Sequence, residues 1–181
     1  EFLNDIVESE TNSDLRAYAM EWVDPEGLYD VDQEGTLPDE ELIDLLRSDP
    51  PTPIGPFEWR SRMDLANLID PELAVEVVRD ATETLGEDQQ VRLQASALTL
   101  NLAAESDTVT AGEVAEAEDF LMTEMAGEGA AQLYTPSERM RAYYALKFSS
   151  SQQVANSFFN ERLLVERDPE VRQLLERLLQ E

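Results

Sequence analysis

Four short stretches fix where this chain turns into helix. Asp70-Pro71-Glu72, Thr135-Pro136-Ser137-Glu138 and Asp168-Pro169-Glu170 each set a capping side chain before a proline at the first helical position, with an acid in the first turn. Thr110-Ala111-Gly112-Glu113 supplies a capping box, in which a threonine and a glutamate each satisfy the other's free backbone donor. Behind these starts the apolar residues recur at helical spacing: Ala74, Val77, Val78, Ala81 and Leu85; Val114, Ala117, Phe120, Leu121 and Met125; Val171, Leu174, Leu175, Leu178 and Leu179. Each set is one stripe of an amphipathic helix. Val91 to Ala104 is apolar on every side, with Arg92 its only charge, and so predicts a central helix. Further helices are expected near 13–23, 38–48, 58–69, 137–149 and 151–166, the last with Val154, Ala155, Phe158, Phe159 and Leu163 on one face. No segment alternates apolar and polar residues with β-branched enrichment. The expected fold is all-α, with about eight or nine helices in an irregular helical bundle or a short α-solenoid.

The proline-rich stretch from Ser48 to Pro56 cannot be helical throughout, because proline removes donors and restricts the residue before it. It divides an N-terminal helix–acidic loop–helix module, residues 1–49, from a helical region, residues 57–181; a rigid crossover within one continuous domain is the alternative. Self-similarity points the same way as the helix count. "SDLRAYAMEWV" (13–23) is like "SERMRAYYALKF" (137–148), and "QVRLQASALTL" (90–100) shares an apolar-Arg pair with "PEVRQLLERLL" (169–179). These segments resemble the first helix of HEAT-type repeats, and such a resemblance implies a protein-interaction scaffold without chemistry of its own.

Charge and missing residue types exclude much. Acids outnumber bases 40 to 13, for a formal net charge of -27. Such a surface repels phosphate backbones, so direct nucleic-acid binding is not expected; cations and basic protein surfaces are the partners it attracts. Lys147 is the only lysine among the bases, and carboxylate excess with few lysines also fits a salt-adapted surface. No run of apolar residues approaches the roughly eighteen needed to span a bilayer, so no membrane insertion by this segment is expected. The start at Glu1-Phe2, without Met or a signal-like apolar segment, suggests a processed or excised chain. Cysteine and histidine are both absent. That removes disulfides, thiolate and imidazole catalysis, and nearly all transition-metal sites, leaving carboxylates, hydroxyls and a hard, oxygen-seeking cation.

Asp30 to Glu41, "DVDQEGTLPDEE", has the spacing such a cation needs. Calcium takes six to eight oxygens at about 2.3–2.6 Å, so a backbone that binds it must wrap tightly around the ion. The stretch resembles an EF-hand calcium loop: Asp30, Asp32 and Glu34 fill the first three ligand positions, Gly35 the sixth place, Leu37 the eighth and Glu41 the twelfth. The resemblance implies a Ca2+ site formed by Asp30, Asp32, Glu34, the Thr36 carbonyl and both oxygens of Glu41, with residues 41–46 as the exiting helix. Tyr29 supplies the expected apolar group before the loop. Glu34 is one methylene longer than the usual residue at its position, Pro38 stands where a water-holding side chain is common, and Asp24-Pro25-Glu26-Gly27 interrupts the entering helix. The alternative is an acidic loop that simply joins two helices.

No catalytic constellation rises above the background of carboxylates. The expected function is a non-enzymatic helical binding or scaffold domain with one structural calcium loop and a protein partner, basic protein surfaces included. The rivals are a salt-adapted acidic interaction domain without metal and a carboxylate-based hydrolase.

Overall fold

A computed structural model describes residues 39–48, 54–127, 129–148 and 151–180. Among them it contains nine helices and no strand: α1 (Asp39–Arg47), α2 (Pro56–Ile69), α3 (Pro71–Leu85), α4 (Gln89–Leu102), α5 (Ala111–Ala126), α6 (Ala130–Leu133), α7 (Pro136–Leu146), α8 (Gln152–Val165) and α9 (Pro169–Leu178). The fold is all-α. The helix expected near 13–23 lies outside the described residues, as does most of the proline-rich stretch. Backbone contacts divide the chain into two compact units, one ending at Ala81 and the other starting at Thr82.

The caps form as local chemistry dictates. Asp70 accepts from the Leu73 amide at 2.9 Å, and Asp168 from Glu170 and Val171 at 3.0 and 3.2 Å. Two capping boxes close: Thr110 with Glu113, and Thr135 with Glu138, whose carboxylate reaches back to the Thr135 amide at 2.8 Å. Asp88 starts α4 by accepting from Gln90 and Val91, each at 3.0 Å, two residues before the start that hydrophobic pattern alone marks. Gly86 follows the end of α3, where a Cβ would run into the Thr82 carbonyl oxygen; only glycine fits that turn.

In the first unit Leu46 of α1, Trp59, Met63, Leu65 and Ala66 of α2, and Leu73, Ala74, Val77 and Val78 of α3 are buried. α1 packs on α2. In the second unit α4 lies against both α5 and α7, the central place its all-round apolar surface requires. Its Leu93, Ala97 and Leu100 join Leu121 and Met125 of α5, Tyr143 and Leu146 of α7, Phe159 of α8, and Val171 and Leu175 of α9 in one core. Tyr143 meets Phe159 edge-on, with ring centroids 6.4 Å apart and planes at 85°, and Phe158 packs against both rings. One expectation fails on α8. The face turned to the core runs through Ala155 and Phe159, and Val154, expected on one face with them, is 50% exposed.

Candidate functional site

Of the residues expected to hold calcium, Asp30, Asp32, Glu34 and Thr36 lie outside the described residues. Glu41 lies in the helix α1. Its helix is tied down at the other end: the Arg62 guanidinium, 3% exposed, donates from Nη2 to the carbonyls of Leu46 at 2.6 Å, Ser48 at 2.8 Å and Leu45 at 3.4 Å. The last carbonyls of a helix have no partner within it, and a buried end must find donors elsewhere. Arg62 provides them, and Trp59 lies 5.2 Å beneath the same cation.

Three more arginines do similar work in the second unit. Arg162 donates from Nη1 to Met125 and Ala126 at the end of α5, at 3.1 and 3.0 Å. Arg172 donates to Leu163 and Glu166 where α8 ends, and Arg139 to the Tyr134 carbonyl just after α6. A guanidinium offers five donors in a rigid fork and can span several carbonyls at once, whereas an ammonium acts as a point charge. Four of the twelve arginines therefore hold helix ends inside the fold, a task for which lysine is less suited.

Arg139 is also half of a buried ion pair. Its Nε and Nη2 each donate to Glu166 at 3.2 Å, and the two side chains are only 4% and 7% exposed. Glu166 Oε1 accepts in addition from the Arg167 and Asp168 amides at 2.9 and 3.0 Å. All three Arg139 nitrogens and both Glu166 oxygens are thus engaged, which is the condition under which a buried pair can be tolerated.

This pair lines a cavity of about 590 Å³ in the second unit. The end of α5 contributes Met125 and Ala126, α6 contributes Ala130, Ala131 and Gln132, and Tyr143 comes from α7. Arg162 and Val165 of α8, with Arg167 beyond it, complete the wall. Val165 is 59% exposed at the rim and its neighbour Leu164 is 85% exposed. Burial, reinforced by the charge of Glu166, pushes the Tyr143 hydroxyl up to about 12, against the opposing pull of Arg162 and Arg139. Tyr134, whose hydroxyl donates to Glu124 at 2.7 Å, is pushed above the ordinary tyrosine range by burial first and by that bond second.

Charge is distributed unevenly around these features. As many basic as acidic side chains follow Thr135, so the net charge of -27 is carried wholly by the residues before it. The cavity takes half of its lining, including all of its described charged residues, from the neutral part of the chain. Sequence reasoning missed it, since its cations were legible only as the arginines of amphipathic helices.

Among the described residues no group of three or more carboxylates is placed to hold a metal ion, and no helix is long and apolar enough to cross a membrane. The structure defines the class as an all-α protein. Compared with family models, curated proteins and solved structures, the chain finds no match in any of the three.

Proposed function

We propose that this chain is a helical binding domain whose acidic loop, Asp30 to Glu41, takes one structural Ca2+ through Asp30, Asp32, Glu34, the Thr36 carbonyl and Glu41. The observation that carries the reading is the helical state of Glu41 within Asp39–Arg47. An EF-hand-like loop needs its twelfth residue on the exiting helix, so that the carboxylate closes on the ion from a rigid base. Arg62 and the buried Leu46 anchor that helix at its far end, which lets order gained at the loop be passed to α2. Without the ion, four carboxylates crowded on a short loop repel one another; with it, the loop orders. Binding would then be directed to a protein partner, with basic surfaces favoured by the acidic residues before Thr135.

A thermal melt tests the metal. If calcium binds only the folded state, a concentration a hundredfold above its dissociation constant stabilises the fold by about 2.7 kcal/mol. The expected outcome is a clear rise of Tm in millimolar calcium over chelator, abolished by Asp30→Ala and by Glu41→Gln. A Tm that ignores calcium but climbs with molar sodium or potassium chloride would replace the calcium loop with a salt-adapted acidic surface.

A further inference from the structure

The cavity of the second unit offers a guest more cationic donors than anionic acceptors among its described lining residues. Glu166, the one carboxylate among the described lining residues, has both oxygens engaged by Arg139 and by two backbone amides. Arg139 is spent in turn on Glu166 and the Tyr134 carbonyl. What remains for a guest is different. The Arg162 guanidinium is held in place through Nη1 by the end of α5 and lies 5.8 Å from the Phe158 ring; its Nε is buried, so Nη2 is the nitrogen left to meet a guest. The side chains of Arg167 and Gln132 and the hydroxyl of Tyr143 have no hydrogen-bond partner among the described residues either, and all four residues line the space. With Arg139 and Glu166 cancelling, two positive charges are left over among the described lining residues.

Size and wall narrow the guest further. A volume of about 590 Å³ is that of a site for a small molecule. Met125, Ala130 and Val165 give part of the wall an apolar character that a bare inorganic anion would not use. The chain as a whole is acidic and repels a multiply charged anion more than a singly charged one, while the residues after Thr135, which supply both arginines, are electrically balanced. We propose that this cavity binds a small organic monocarboxylate, its charge met by Arg162 and Arg167 and its apolar body by Met125, Ala130 and Val165. Guanidinium and carboxylate match as two parallel charge-assisted hydrogen bonds, the strongest pairing these side chains can make. The proposal is independent of the calcium loop, since every residue it uses lies beyond Thr82.

Ligand-observed NMR titration of the full chain with benzoate, and with benzamide as its neutral isostere, tests it. Benzoate is expected to bind at least about tenfold more tightly than benzamide, the ratio a charge-assisted bond supplies. Arg167→Gln, an exposed substitution that leaves the core untouched, should weaken benzoate by about tenfold with the thermal melt unchanged. Arg162→Gln should do the same with some loss of Tm, because it also frees the end of α5. Ala131→Trp, which fills the space from the wall, should abolish binding. Equal affinity for benzoate and benzamide, no binding of either, or wild-type binding by Arg167→Gln and Ala131→Trp would overturn the proposal.

Discussion

Arg62 and Arg162 close two helix ends with the same chemistry and leave two different surroundings. At the end of α1 the guanidinium is 3% exposed and reaches three carbonyls over a tryptophan face. At the end of α5 it reaches two carbonyls, stays partly exposed, and borders the cavity. Nε is buried without a hydrogen-bond partner in both; what differs is exposure, the first cation being shut in while the second keeps an edge at the cavity. The difference teaches that an arginine in this fold is open to a ligand by virtue of where its helix end lies, shut beneath a neighbouring helix or set beside a cavity, and not by the capping chemistry itself.

The largest effect should come from the pair behind the cavity. Arg139→Ala strands Glu166 as a buried, uncompensated charge, and urea unfolding should register a loss of about 3–5 kcal/mol. If the loss is under about 1 kcal/mol, the pair behaves as an exposed one and the cavity floor is softer than its geometry implies. The two caps can then be set against each other. Arg62→Ala is expected to cost about 2–4 kcal/mol, since several buried carbonyls lose charged donors together, and Arg62→Lys should recover little of it. A full recovery by lysine would show that charge alone, without the fork, holds α1.

Alkaline unfolding probes the second site from inside. An unfolded tyrosine gives up its proton near pH 10, whereas folded Tyr143 keeps it to about 12. Between those values the unfolded chain binds fewer protons, so stability falls as pH rises through the window and is intact below it. The drop attributable to Tyr143 is about 2–3 kcal/mol, readable as the part of the alkaline loss that Tyr143→Phe removes. The smallest effect is expected for Arg162→Ala, about 1–2 kcal/mol in the same urea assay, because water can reach the end of α5 once the side chain is gone. A cost equal to that of Arg62→Ala would erase the distinction between the two ends.

How much of this could be read in the sequence depends on range. Asp168, Thr135 and Thr110 announce their helices because a cap bonds residues two or three positions away, and the structure places all three as caps. The stripe of α9 and the all-round apolar face of α4 are equally local, being a matter of 3.6-residue period. Asp88 was passed over because the two glutamines after it hide the start of the apolar pattern, and the four residues of α6 are too few to show any period. The candidate calcium residues were legible as a spacing, and of these Glu41 alone falls among the described residues. The arginine caps were not legible at all. Arg62 meets a carbonyl 16 positions earlier and Arg162 one 37 positions earlier, separations at which sequence carries no register.

The sequence by itself determined an all-α chain, the starts of its main helices and the stripe each one buries, because caps, prolines and helical period act over a turn or two of backbone. Only the tertiary structure decided which arginines became internal caps, that Glu166 would be shut in with Arg139, and that a cavity with unspent donors would open beside them. Those outcomes depend on which helix ends meet in space, and packing, unlike capping, is settled between segments far apart in the chain.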